Sequence, residues 1–293
     1  MEFEKQYKIY QQEVEQKLPQ YIRAANNSES LMKAMEYSLM LGGKRIRPVL
    51  ALATCELLHQ PISQVLPAAC ALEMIHTYSL VHDDLPSMDD DDLRRGKPTN
   101  HKVFGEAIAI LAGDGLLTEA FSCLSDPAWH LSDHQKIRVI HCISEAAGAK
   151  GMVAGQVLDL EHEGKDCNEQ QLENIHLHKT GKLILASILA GAHAASATPT
   201  QIQTLDTFGR KIGLAFQIAD DILDITQTTE QLGKNAKSDL KKNKSTYPSL
   251  IGLDASKQKA QNLLTESLEL LSTFGERSTF LKELATLIVH RKK

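Results

Sequence analysis

Six aspartates fall within ten positions, Asp83, Asp84 and Asp89 to Asp92, and the cations Arg94, Arg95 and Lys97 follow at once. Such a run repels itself unless something cationic neutralises it. Pro86 cannot continue the apolar helical run of residues 68–80 and biases Leu85 away from helical geometry. Asp83 and Asp84 are therefore expected on the last turn of a helix, with Asp89 returning from a loop so that carboxylates converge across a bend. Hard divalent cations such as Mg2+ are held in this way, by one or two carboxylates plus a substrate's phosphates, and arginines meet the same phosphates through paired hydrogen bonds. Asp91 and Asp92 read as solvated, as charge runs usually are.

A second acidic cluster lies at Asp220, Asp221 and Asp224 with no proline between them. Asp220 and Asp224 are four apart, so they stand one turn above each other on one helix face, which Gln217 shares. An unneutralised pair at this spacing destabilises a helix by a few tenths of a kcal/mol, roughly, so a bound cation is the natural compensation. A basic cluster precedes both. Gly42 and Gly43 close a helix, and Lys44, Arg45 and Arg47 then open the next, where free backbone N–H groups and the helix dipole also favour an anion. A glycine cap followed by solvated cations has the same pattern. His76, seven residues before Asp83, shares its helix face about 10 Å below, and Tyr78 and Ser79 fall about one turn below Asp83.

Together these motifs resemble the trans-isoprenyl diphosphate synthases. Asp83-Asp84, four further residues and Asp89 resemble that family's first aspartate-rich motif, in the bacterial form with a two-residue insertion, and 216–224 resembles the second. The resemblance, strongest to the bacterial farnesyl-type (geranyltranstransferase) group, runs through ordered motifs from about residue 28 to 248. It implies an all-α, single-domain helical bundle around a deep central cavity, spanning 1–293 and assembled as a homodimer. It also implies Mg2+ held by Asp83, Asp89 and Asp220, three ions once an allylic diphosphate is bound. Lys44, Arg47, His76 and Arg95 then hold isopentenyl diphosphate without metal, while Arg94 and Lys179 hold dimethylallyl or geranyl diphosphate. The oxygens of Thr180 and Gln217 face a developing allylic cation. Tyr78, with Ser79, forms a floor that stops the product at fifteen carbons. Lys234 and Lys244 match two loop lysines, although Lys237 and Asn243 stand where the pattern has glycine. Gln156 and Asp159 share a helix face, and their partners are not readable from spacing.

The alternatives are a geranylgeranyl or longer-chain synthase, separated by what Tyr78 does, and a non-catalytic regulatory subunit, against which the intact aspartates of both motifs argue. A terpene cyclase has no use for a second diphosphate site at Lys44 and Arg47. A Ca2+-binding loop of the EF-hand kind lacks its spacing here.

The elements that must carry these groups read as helices almost throughout. Apolar residues recur at three- and four-residue spacing in 28–41, 45–58, 64–84, 105–124, 133–147, 169–194, 200–225, 255–274 and 277–290, with no sustained strand alternation. Several runs are rich in Ala, Leu and Ile on more than one face, as helices buried on several sides are. The 293 residues, 42% apolar and 24% charged, are those of a soluble globular chain. A charged start without an apolar segment and no run of 18 apolar residues give a cytoplasmic expectation with no membrane span. A net charge of -5 offers nothing to nucleic acid. The five cysteines have no ligand spacing and read as reduced and mostly buried. The basic end, His290 to Lys293, reads as frayed.

Overall fold

A computed structural model describes residues 2–24, 28–226 and 245–291. The helices are α1 (Glu2–Ala24), α2 (Glu29–Leu39), α3 (Ile46–Leu57), α4 (Leu66–Asp83), α5 (Asn100–Phe104), α6 (Glu106–Ser125), α7 (Asp133–Ala147) and α8 (Met152–His162). They continue with α9 (Glu169–His176), α10 (Lys182–Ala194), α11 (Pro199–Thr226), α12 (Tyr247–Ile251), α13 (Leu253–Leu271) and α14 (Thr279–His290). Lys234 and Lys244, with Lys237 and Asn243 beside them, lie outside the described residues.

Two helices form the centre. On α4 every residue from Ala68 to Ile75 is buried, and on α10 every residue from Leu183 to Ile188. Neither has a water face there, as their all-round apolar composition requires. Small residues let neighbours approach closely. A Cβ at Gly191 of α10 would overlap the Ala51 carbonyl of α3. One apolar core collects side chains from Tyr10 of α1 to Ile288 of α14. Local signals start several helices: Ser132 and Gln135 form a reciprocal capping box on α7, and Asn168 and Gln171 do so on α9.

Three features depart from the sequence reading. That reading has no helix before residue 28, yet α1 runs for 23 residues, and its Tyr10, Val14, Leu18 and Ile22 make a buried stripe at four-residue spacing. The run 169–194 is not uniform α-helix, because Leu177–Gly181 form a π-helical turn. Leu93–Arg94 and Lys97–Pro98 pair as a two-residue antiparallel ribbon. Its loop residues Arg95 and Gly96 both have positive φ, as the tightest hairpins require. Strands that short show no periodicity in sequence.

By length and composition α6 is apolar enough to cross a membrane. Here it packs along α4 and α2. It buries Ala112, Leu116, Ala120 and Leu124 and leaves Ile110 and Leu111 outward. The five cysteines are free, and all but Cys142 are buried.

Candidate active site

The acidic bend forms as Pro86 demands. Asp83 is the last residue of α4 and Asp84 its C-cap, and the Asp89 N–H donates to the Asp83 carbonyl (2.8 Å). Asp89 is thereby returned to Asp83. Burial pushes the Asp83 carboxyl up to about 6; Lys179 and Arg94 oppose this, and Asp89 and Asp84 reinforce it. Two half-buried carboxylates in mutual repulsion, all hard oxygen donors, suit Mg2+.

Asp84 points elsewhere. It is buried and receives Arg94 in a fork, with Nε 2.8 Å from both carboxylate oxygens and Nη2 2.5 Å from Oδ1. The resemblance puts Arg94 on a phosphate; its Nε and one N–H of Nη2 are engaged by Asp84 instead, which leaves Nη1 and the second N–H of Nη2 as its remaining donors. Asp220 pairs with Arg291 of the C-terminal tail. Among the described residues no three His, Cys, Asp or Glu side chains converge on one cation position. The geometry unites Asp83 with Asp89 and leaves Asp220 on its own cation.

The basic cluster splits in the same way. Lys44 stays outside, and its carbonyl accepts from Tyr7 Oη (2.5 Å) and Gln11 Nε2 (3.1 Å), so α1 pins the Gly-Gly-Lys turn. Arg45 turns inward to Glu73 (2.6 Å) and the Leu39 carbonyl (2.8 Å) and is structural. Arg47 is buried, and its Nε has no hydrogen-bond partner. Its guanidinium carbon stands 6.0 Å from the centre of the Phe216 ring. Burial pushes its pKa down to about 10, Glu73 and Asp220 oppose this, and Arg291 and Arg95 add to it. It remains a cation at neutral pH. His76 is held well below the ordinary histidine range by burial and by Arg47, Arg95, Arg94 and Arg45, so it is a neutral imidazole. Arg95 reaches across to the Gly42 carbonyl, and its guanidinium occupies the space a side chain at Gly43 would need, 2.7 Å from that Cβ position.

The π turn carries the third group. α8 crosses it at Gly155, where a Cβ would overlap the Lys179 backbone nitrogen. One turn along α8, Asp159 meets the Lys179 ammonium at 2.7 Å. This names the partner of Asp159 and places Lys179 on a carboxylate. The Nε2 of Gln156 is buried without a hydrogen-bond partner.

Thr180 Oγ1 donates to Gln217 Oε1 (2.9 Å), and Gln217 Nε2 donates to Asp221 Oδ1 (3.1 Å). A carboxylate only accepts, so Asp221 fixes the amide with its oxygen toward Thr180. Thr180, its hydroxyl hydrogen engaged by Gln217, has only lone pairs left to offer. Asp221 also accepts from the Tyr247 N–H (3.0 Å) and meets His176 Nε2 at 3.0 Å. Asp221, His176, Tyr247 and Arg291 are contributors that the sequence reading does not place among the site residues. Asp221 has one signal, its place one turn beyond Gln217. Asp224, on the face of Asp220 in sequence, is buried in the structure.

Tyr78 is buried on α4, and Ser79 donates to the His76 carbonyl (2.9 Å). A cavity of about 730 Å3 lies at the other end of α3, lined by Leu57, His59, Ser196 and Arg277 among others. No residue singled out from the sequence lines it.

The chain matches the family described as polyprenyl synthetase over residues 28–283. It belongs to the polyprenyl synthetase family. The matched span contains the basic cluster at Lys44 to Arg47, the acidic bend with its arginines from Asp83 to Arg95, and the second acidic cluster at Asp220 to Asp224, while α1 and Arg291 stand outside it. A farnesyl diphosphate synthase of Geobacillus stearothermophilus is 54% identical over 249 residues, 85% of this chain and 84% of the relative. A chloroplastic geranylgeranyl pyrophosphate synthase of Catharanthus roseus is 49% identical over 261 residues, 88% of this chain and 73% of the relative. Among solved structures, a geranyltransferase from Helicobacter pylori complexed with magnesium and isoprenyl diphosphate superposes with a TM-score of 0.82 at 35% identity, over 97% of this chain and 96% of that one. The helical architecture of this polyprenyl synthetase is shared with that structure along almost its whole length.

Proposed function

We propose that this chain is a Mg2+-dependent prenyltransferase that condenses isopentenyl diphosphate head to tail with dimethylallyl and then geranyl diphosphate, releasing pyrophosphate at each step and ending at farnesyl diphosphate. The observation that carries the reading is the separation of two kinds of charge. Asp83 and Asp89 are hard carboxylates adjoining Lys179, whereas Arg47, beside neutral His76 and Arg95, is a buried cation whose Nε lacks a hydrogen-bond partner. The first set suits a metal-held diphosphate and the second a diphosphate held by cations alone.

Mg2+, when bound through Asp83, Asp89 and Asp220, supplies Lewis acidity to the departing pyrophosphate. Three ions and a homodimer belong to the same proposal, the outward Ile110 and Leu111 of α6 being the surface offered to a second copy. Arg94 and Lys179 stand beside the allylic diphosphate and Lys44, Arg47, His76 and Arg95 hold the isopentenyl one. As the allylic C1–O bond breaks, the electron pair leaves with pyrophosphate. Thr180 Oγ1 and Gln217 Oε1, oriented in advance by Asp221, set negative dipole ends toward the cation. The isopentenyl double bond then forms the new bond to C1, and pyrophosphate accepts the proton lost from C2. Packed helices keep out the water that would quench the cation.

The test is product analysis with isopentenyl and either dimethylallyl or geranyl diphosphate, with and without Mg2+. A fifteen-carbon product that requires Mg2+ is expected. Products of twenty carbons would favour the second reading, to which the similarity to a geranylgeranyl pyrophosphate synthase gives weight. No condensation by the folded chain would overturn both.

A further inference from the structure

Relatives of similar identity are named for products of different length, so overall similarity does not set where the growing chain stops. We infer that His82, seated against Gly113 of α6, is a specificity-determining positioning residue that fixes the Tyr78 ring and thereby the product length. This rests on the reading of Tyr78 as the floor of the hydrocarbon pocket.

At about 100° per residue, Ser79 lies about 40° around α4 from Asp83, but Tyr78 lies about 140° around. A chain descending from the metal carboxylates therefore meets the Tyr78 ring from the side, and the depth it reaches depends on where that ring is held. Among the described residues the Tyr78 hydroxyl makes no hydrogen bond, so ring packing alone locates it. Tyr78 belongs to the apolar core, and its one aromatic neighbour among the described residues is His82, one turn on, whose ring meets Tyr78 edge to face at 5.8 Å and 78°. His82 is itself fastened. Its Nε2 lies 3.0 Å from the Ile110 carbonyl, to which it donates, and the ring fills the place of a side chain at residue 113. A Cβ on Gly113 would stand 2.8 Å from Cε1 of that ring and closer still to Nε2. Glycine at 113 is thus the condition for His82 to lie behind Tyr78.

The experiment compares the ratio of twenty- to fifteen-carbon product in five variants supplied with isopentenyl and geranyl diphosphate and Mg2+. Tyr78→Ala tests the floor itself and is expected to make mainly the longer product. His82→Ala and Gly113→Ala should each raise the ratio roughly fivefold, the scale of one lost aromatic contact. His82→Gln, whose amide nitrogen reaches the position of Nε2, should fall between. His82→Ala combined with Gly113→Ala should match His82→Ala alone, because alanine at 82 leaves room for the added methyl; a general loss of packing would instead make the double variant worse. If Tyr78→Ala lengthens the product while His82→Ala and Gly113→Ala do not, the inference falls and the floor stands. If Tyr78→Ala still stops at fifteen carbons, the floor falls and the inference with it.

Discussion

Arg291 lies on Asp220, 71 residues earlier in the chain. Its Nη2 also donates to the Phe216 carbonyl (3.1 Å), and its guanidinium carbon stands 3.9 Å from the centre of the Phe216 ring. The tail expected to fray is docked at Arg291, which is 7% exposed. One turn of α11 thus joins the C-terminal end, the second acidic cluster and, through Phe216, Arg47.

Arg291 neutralises a carboxylate proposed to hold metal, so the two cations compete. Arg291→Ala is expected to lower the Mg2+ concentration that gives half-maximal activity by a few-fold. It should cost about 1–2 kcal/mol of stability, less than a fully buried pair because Asp220 is half exposed. Mg2+ activation curves and urea unfolding measure the two effects.

Asp83→Ala and Asp220→Ala should each lower turnover by about 10³-fold or more while leaving the far-ultraviolet circular dichroism unchanged. Near-normal turnover in either variant would sink its metal assignment.

The Asp83 carboxyl, near 6 in the fold against an ordinary 3.8, prefers to be neutral there. Its charge therefore lowers stability as pH rises from about 4 to 6, a cost absent below the unfolded value and complete above the folded one. Bound Mg2+ reverses that preference. The rise in melting temperature caused by Mg2+ should accordingly grow as pH increases through 6; a rise equal at pH 5 and pH 8 would contradict it.

Thr180 and Asp221 belong to one chain of hydrogen bonds but should fail differently. Thr180→Val removes an oxygen proposed to face the allylic cation and is expected to lower kcat about tenfold with a loss of about 1 kcal/mol of stability. Asp221→Ala strips Gln217, His176 and the Tyr247 N–H of a shared buried acceptor, and should cost about 3 kcal/mol in urea unfolding.

Arg45 and Arg47 stand two residues apart in different surroundings, one on Glu73 and the other near the Phe216 ring. Arg45→Ala leaves Glu73 buried and unpaired and should cost about 3–5 kcal/mol. Arg47→Ala is expected to raise KM for isopentenyl diphosphate at least about tenfold, the worth of a charge-assisted bond, with a smaller effect on unfolding.

The helical class, the three charged clusters and the bend at Pro86 were legible because each depends on local spacing. Proline ends a helix wherever it stands, and residues four apart share a face in any helix. The ribbon at Arg95–Gly96 and the π turn at Leu177–Gly181 were not legible, because one is too short to show a period and the other is five residues inside a longer helical run. What only the tertiary structure decided is which of two neighbouring like residues faces the site. The Asp83 carboxyl lies in the field of Lys179 and Asp89, while Asp84 turns to Arg94; Arg45 turns to Glu73 and Arg47 to the cluster with His76; Asp220 meets Arg291 and Asp221 the Gln217 amide. Adjacent positions on a helix differ by about 100°, so the sequence presents both and the rotation of each helix against its neighbours chooses between them.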